Sequence, residues 1–268
     1  GLNWAVLKGR TNYLCRRRFE AFAAQPELGM ERAGAGLAAV ARWLRTTPDG
    51  DLDQVRGEGL AAGLSGEITA NAEQCLGGRC PRREDCFLME ARRRAAAAEV
   101  VVVNHHLFLA DLRLKAKGHG EALPRYQAVI FDEAHLLPEA ATQAFGVSVG
   151  QRRLATLLRD LLREVRGPKE VAAAAGQAHE AGEAFFAGLK GLAGPAGSRG
   201  LLAEELARLG KESAALEKAL GALARSLQGN EEAEALAERA VSLAADLMAV
   251  AGPVAGQTVA WVEAKNGQ

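Results

Sequence analysis

The chain has 268 residues, enough for one large domain or two ordinary ones, and 49% of them are hydrophobic while only 5% are aromatic. Much of the apolar content is alanine, which favours helices with small side chains between them. Lys+Arg and Asp+Glu both number 33, so no global field steers nucleic acid or a membrane, and four cysteines are too few for a secreted disulfide scaffold. Charge is unevenly placed: residues 1–125 hold 19 Lys+Arg against 15 Asp+Glu, and residues 126–268 hold 14 against 18. The basic excess lies in the half that carries the cysteines, which suits a polyanion partner there. No apolar run reaches 18 residues and no apolar leader opens the chain, so no transmembrane helix or signal peptide is expected and a reducing cytoplasm is the default. The opening GLNWAVLKGR has no methionine and reads as a strand, so an excised internal fragment is expected.

In chain order, residues 4–7 form a short apolar run that predicts a buried strand, ended by Lys8, Gly9 and Arg10. From 15 to about 45 the pattern is helical, with Phe19, Phe22, Leu37, Val40 and Trp43 as apolar positions. Residues 46–66 are rich in Gly and Asp and predict loop with short helical pieces. Residues 75–86 are turn-like, and 87–98 have good helix composition. The four valines 100–103 predict a buried strand, and QAVIF at 127–131 predicts a second that runs straight into Asp132.

After Gly146 the character changes. Leu154, Leu157, Leu158, Leu161, Leu162 and Val165 recur at the spacing of an amphipathic helix, which Gly167 and Pro168 stop. Helical stretches follow at about 170–192, 201–228 and 231–250, separated by GPAGSRG and by Gln228, Gly229 and Asn230. Gly252 and Pro253 break the last, and 258–262 look like a strand. The expected architecture is a sheet core interrupted twice by mainly helical insertions.

Cys75, Cys80 and Cys86 form a Cys-x4-Cys-x5-Cys triplet, with Cys15 far upstream. Iron–sulfur clusters need soft thiolates converging on one point, and a short triplet can wrap one side while a distant residue closes the other. Zinc more often takes two Cys-x2-Cys knuckles, which are absent. A cluster, a zinc site and unliganded thiols all remain open on spacing alone.

Asp132, Glu133, Ala134 and His135 spell DEAH at the end of an apolar run. At a strand's carboxyl edge an aspartate can hold magnesium beside nucleotide phosphates, and the next glutamate can deprotonate the attacking water. His135 would then relay nucleotide state. The competing reading is a helix start, where acids are favoured. No G-x-x-x-x-G-K followed by Ser or Thr occurs, and Gly210-Lys211 is followed by Glu212 in a helical pattern, so nothing here cradles phosphates.

Asn104 precedes His105 and His106, and a strand-to-helix turn capped by Asn104 outweighs a metal site, because adjacent histidines point apart. Arg16, Arg17 and Arg18 flank Cys15, and Arg79, Arg82 and Arg83 stand among the other cysteines. They suit phosphate contacts or an ordinary solvated face. Trp4, Trp43 and Trp261 read as core rather than base-stacking platforms.

LKGRTNYLC at 7–15, the cysteine triplet, VVVVNHHLFLAD at 100–111 and VIFDEAHLLPEAA at 129–141 together resemble the DinG/XPD family of iron–sulfur superfamily 2 DNA helicases, most of all its bacterial DinG/YoaA branch. The match covers 1–146 by motif and the helical remainder only by position and character. The resemblance implies an α/β fold: a partial RecA-like P-loop motor domain with an iron–sulfur insertion and a helical Arch insertion. It divides the chain into motor at 1–14, cluster domain at 15–98, motor with the DEAH strand at 99–146, Arch at 147–252 and a return to the motor at 253–268.

Carried over by residue, Cys15, Cys75, Cys80 and Cys86 become ligands of a 4Fe–4S cluster. Asp132 becomes the magnesium–ATP acid, Glu133 the water-activating base and His135 the coupling residue. Lys8, Arg10, Arg16, Arg17, Arg82 and Arg83 become candidate DNA contacts. The implied parent is an ATP-dependent 5′–3′ DNA helicase and ATP hydrolase acting on single-stranded or forked DNA, with repair or replication proteins as candidate partners. Lacking the Walker A loop and a second motor domain, this stretch alone is not expected to turn over ATP. The alternative is a non-enzymatic, metal-bearing nucleic-acid-binding module. A DEAH-type RNA helicase has no cysteine insertion, and a plain helical scaffold leaves the DEAH segment unexplained.

Overall fold

The structure, a computed structural model, describes residues 1–24, 33–55, 64–116, 118, 120–165, 169–193, 198–201, 203–230, 233–252 and 259–263, in two compact units, Gly1–Gly146 and Val147–Gln268. The expected helix stop at Gly167 and Pro168, Pro253, Thr258 and part of the 46–66 loop lie outside the described residues.

In the first unit, β1 (Trp4–Val6) and β2 (Val100–Val102) pair in parallel, Trp4 opposite Val100 and Val6 opposite Val102. Asn3 extends the ladder: its carbonyl accepts from the backbone of Glu99 and Val100, and its side-chain amide donates to Ala97 O at 2.8 Å. A parallel pair needs a long crossover, and here the crossover carries all four cysteines. Both strands were expected to be buried, yet Trp4 is 63% exposed and Val102 51%. β-branched residues favour the pleat, but burial needs a covering layer on each face. This sheet has two strands, with α4 (Phe87–Ala96) packed against β1.

The strand expected at 127–131 does not form. The segment has no ladder partner, and Ile130 is 95% exposed. An apolar run becomes a strand only where a neighbouring edge takes its backbone hydrogen bonds. No such edge lies beside it among the described residues, so QAVIF stays without regular structure.

The crossover is a set of short pieces. α1 (Arg16–Ala24) packs on α3 (Leu64–Ile68), as does α2 (Ala33–Trp43), and Phe22, Val40, Leu64 and Ile68 are buried between them. A 3-10 turn at Leu52–Gln54 is capped by the Asp51 carboxylate, and another spans Gly77–Arg79. Gly50 has φ +65, and a Cβ there would fall 2.3 Å from the Phe87 ring, so only glycine fits. After β2, the Asn104 side chain accepts from Leu107 N at 2.8 Å and caps α5 (His105–Ala116), which packs against α6 (Leu137–Phe145).

The second unit is built on long helices. α7 (Gln151–Glu164), α8 (Lys169–Ala193), α10 (Gly210–Ser226) and α11 (Glu234–Ala251) pack around one core. Leu154, Leu157, Leu161, Leu216, Leu220, Leu223, Leu243 and Leu247 fill it, as the periodicity predicts, whereas Leu162 faces out. A buried ion pair, Arg239 Nη1 to Asp160 Oδ2 at 2.8 Å, joins α11 to α7. The third helical stretch is broken where one helix was expected. Ser198–Leu201 is β3, Ala203–Ala207 is α9, and α10 starts at Gly210. β3 pairs antiparallel with β4 (Ala260–Glu263), so a ladder absorbs backbone at one end of that stretch.

Candidate functional site

The four cysteines line one cavity of about 40 Å³, although each stands in a different local setting. Cys15 precedes α1: its amide donates to Ile68 O at 2.8 Å and its carbonyl accepts from Phe19 N. Cys75 sits on a small closed loop in which Asn71 Oδ1 accepts from the amides of Glu73 and Gln74, and Gln74 Oε1 accepts from Asn71 N. Cys80 ends the 3-10 turn at Gly77–Arg79, where Gly77 has φ +56. Cys86 is the N-cap of α4. All four are free thiols and half-buried.

Arginines fasten these pieces together. Arg17 donates to Gln74 O at 2.9 Å and Arg16 Nε to Asp85 O at 2.9 Å, so the helix after Cys15 is tied to the triplet loop at two points. The Arg16 guanidinium lies 4.3 Å from the Phe87 ring centroid, a cation–π contact on the residue after Cys86. Arg82 bridges Glu20 at 3.1 Å and Asp85 at 2.7 Å. Arg10, Arg16, Arg17 and Arg82 all line the cysteine cavity, while Arg83 is exposed. Lys8 is held by Asp51 at 2.5 Å and Asp53 at 2.7 Å, and those bonds raise its pKa above the ordinary 10.5.

Burial pushes the Cys15 thiol up, opposed by a bond from the Arg18 backbone and by the nearby Arg17 charge. A soft cation offsets that burial by binding the thiolate and releasing its proton. Arg82, which lines the same cavity as the four cysteines, has its Nε buried without an acceptor among the described residues. The donor chemistry therefore fits a thiolate-bound cluster. The cavity is narrow for four irons and four sulfides, and among the described residues no three His, Cys, Asp or Glu side chains close around a single ion. Loading would have to spread the turns between Cys75 and Cys86.

The sequence reading missed Arg92. It lies one helical turn past Leu88, which lines the cysteine cavity, and it is half-buried where Arg93 and Arg94 are exposed. Burial, and then the charge of Arg10, lower its pKa, while Cys75 and Cys86 act to raise it. The i, i+4 spacing from Leu88 was the available signal.

The DEAH segment is a second, separate feature. Glu133 takes a left-handed backbone, φ 49 and ψ 45, which costs a non-glycine residue about 1–2 kcal/mol. Asp132 Oδ1 accepts from Glu133 N at 3.0 Å, and Glu133 Oε2 lies 3.2 Å from His135 Nδ1. The three side chains are thus neighbours on an exposed turn leading into a 3-10 helix at Ala134–Leu136, not at the edge of a strand. A roomier cleft of about 450 Å³ lies along β1, lined by Trp4, Lys8, Tyr13, Asp51 and Arg94, and holds neither the cysteines nor Asp132 and Glu133.

No protein-family model matches the chain. It is similar to the ATP-dependent DNA helicase YoaA of Haemophilus influenzae, 42% identical over 157 residues, 59% of this chain and 24% of that protein. The likeness is to helicases of the DinG and YoaA kind, over part of the chain. The YoaA helicase of Escherichia coli is 38% identical over 160 residues, and the ATP-dependent helicase DinG of Mycobacterium tuberculosis 27% over 176. The match spans about a quarter of the length of these relatives. Among the described residues no helix is long and apolar enough to cross a membrane.

Proposed function

We propose that this chain is the cluster-bearing and Arch part of an ATP-dependent DNA helicase of the DinG/YoaA kind, acting on single-stranded or forked DNA in the cytoplasm with 5′–3′ polarity. The observation that carries the reading is the convergence of Cys15, Cys75, Cys80 and Cys86 on one cavity, in a chain 42% identical over 157 residues to a protein named as a DNA helicase. The four thiolates would hold a 4Fe–4S cluster, which when bound supplies iron–thiolate cross-links between distant parts of the chain and a one-electron couple.

The chain's own groups then divide the work. Arg16, Arg17 and Arg82 brace the cage through their bonds to the triplet loop and to Glu20. Arg10 and the exposed Arg83 are left as the DNA contacts of this unit, since Lys8 is occupied by two carboxylates. Asp132 would hold the magnesium of bound ATP. Glu133 Oε2 would take the proton of the attacking water as it adds to the γ-phosphorus and the bond to ADP breaks, and His135, 3.2 Å from that carboxylate, would couple nucleotide state onward. Partners among repair or replication proteins belong to the same reading.

The test is anaerobic purification of the protein expressed from its complete gene. Four irons and four sulfides per chain, with ATP-dependent unwinding of forked DNA carrying a 5′ tail, are expected. A colourless protein that holds zinc would sink the cluster. An iron-loaded protein that binds DNA but hydrolyses no ATP would favour the non-enzymatic module.

A further inference from the structure

Asp111 on α5 is 0% exposed, and sequence reading gave it no role. Its Oδ1 accepts from two successive backbone amides, Ala122 N at 2.6 Å and Leu123 N at 2.9 Å, and its Oδ2 pairs with Lys115 at 2.7 Å. The two amide bonds to Oδ1 and the ion pair to Lys115 offset the cost of taking this carboxylate out of water, while Oδ2 itself accepts no hydrogen bond among the described residues. Ala122 and Leu123 are themselves buried, so the bonds fix the backbone at the start of the stretch that leads to Asp132.

The same helix face holds the rest of that stretch. His105, Phe108, Asp111 and Lys115 are spaced three, three and four residues apart, one stripe of α5. Lys115 Nζ stands 4.8 Å from the Tyr126 ring centroid, and Phe108 lies 5.9 Å from Tyr126 and 5.2 Å, edge-on, from Phe131. His105 closes the row at 6.0 Å from Phe131, the residue before Asp132. The segment from Ala122 to Phe131 has no strand ladder to hold it, so the α5 stripe supplies the fixation that a sheet otherwise would.

We infer that Asp111 is a positioning residue for the DEAH carboxylates, with α5 acting as the clamp that carries Asp132 and Glu133. The inference rests on the ATP-hydrolysis reading above for its catalytic consequence, but not for the clamp itself. β2 feeds directly into α5 through Asn104, so the clamp also ties the acidic turn to the parallel pair β1–β2.

Two measurements on the protein from its complete gene decide it. In hydrogen exchange, Asp111→Asn should speed exchange of the amides over 122–131 and leave those around Cys75, Cys80 and Cys86 unchanged. In steady-state hydrolysis with DNA present, the variant should lose roughly tenfold or more in kcat with KM for ATP moved less than about twofold, the mark of misplaced reacting groups rather than lost binding. Asp160→Asn is the control, because it uncouples an equally buried carboxylate in the other unit. It should lower the unfolding temperature and spare kcat.

If Asp111→Asn does not fold, Lys115→Met serves, since Lys115 is partly exposed and touches both Asp111 and Tyr126. Unchanged exchange over 122–131, or a folded variant with wild-type kcat, overturns the inference. If the wild type hydrolyses no ATP, the functional reading fails instead, and the exchange experiment still decides the clamp.

Discussion

The two units are stabilised in different ways. The second unit closes a continuous leucine and alanine core between α7, α8, α10 and α11, with polar contacts such as Arg239–Asp160 added to it. The first unit has an apolar core of its own, and its distinctive geometry depends on directed contacts: Arg17 to Gln74, Lys8 to Asp51 and Asp53, Asp111 to Ala122 and Leu123. Apolar burial is non-directional and tolerates exchange of one leucine-like residue for another. Directed contacts hold particular atoms in particular places, which is what a metal cage or a catalytic turn requires.

The largest expected effect separates the units outright. Cys80→Ser should abolish the visible iron–thiolate absorption and reduce bound iron to background, and limited proteolysis should then cut between residues 70 and 90 while α7–α11 stay intact. If both units become protease-sensitive together, the division of labour is wrong. In the second unit, Leu220→Ala removes a fully buried side chain from the centre of the core. About 2–5 kcal/mol of stability should go, read by denaturant unfolding, with iron content unchanged.

This contrast also decides what the sequence could tell. The helices of the second unit were legible because the 3.6-residue period records the burial of one face, and Leu154, Leu157 and Leu161 are inside as that period requires. Leu162 was placed on the same pattern and lies outside, since it sits about 100° round the helix from Leu161 and beyond the edge of the buried stripe. β3 was missed because Ser198 and Gly200 carry no strand signal and its partner β4 lies far along the chain. In the first unit the four cysteines were readable as a set by their spacing, and they do line one cavity. The arginine braces and Asp111 were not, since a pairing between Arg17 and Gln74 O, or Asp111 and Ala122 N, leaves no periodic trace. QAVIF reads as a strand by composition alone, and composition cannot say whether a neighbouring edge is present.

Gly50→Ala tests whether a single backbone contact can weigh as much as a core leucine. The added Cβ meets the Phe87 ring at 2.3 Å and must also adopt φ +65. Phe87 is the first residue of α4, directly after Cys86. The expected cost is about 2–4 kcal/mol from overpacking and left-handed strain together. Because the strain falls beside a cysteine, iron retention during gel filtration should drop as well, which Leu220→Ala does not do. A stable Gly50→Ala protein that keeps its iron would mean that this wall of the cage is soft.

Lys8 gives the smallest and most discriminating effect. Two partly exposed carboxylates hold its ammonium, and such pairs contribute about 1 kcal/mol together, so Lys8→Met should cost about that at neutral pH. The bonds to Asp51 and Asp53 raise the folded-state pKa above 10.5, so folding favours the charged form. That contribution is complete below pH 10.5 and fades as pH rises through the raised folded value, where wild type and Lys8→Met should converge in stability. A lysine whose charge is already neutralised by two acids has little left for a phosphate. The slope of log affinity for single-stranded DNA against log salt should therefore be the same in Lys8→Met as in wild type, whereas losing the exposed Arg83 should make it shallower by about one. A shallower slope in Lys8→Met would mean that DNA displaces Asp51 and Asp53, and that the contact joining β1 to the loop at 49–54 opens when the strand binds.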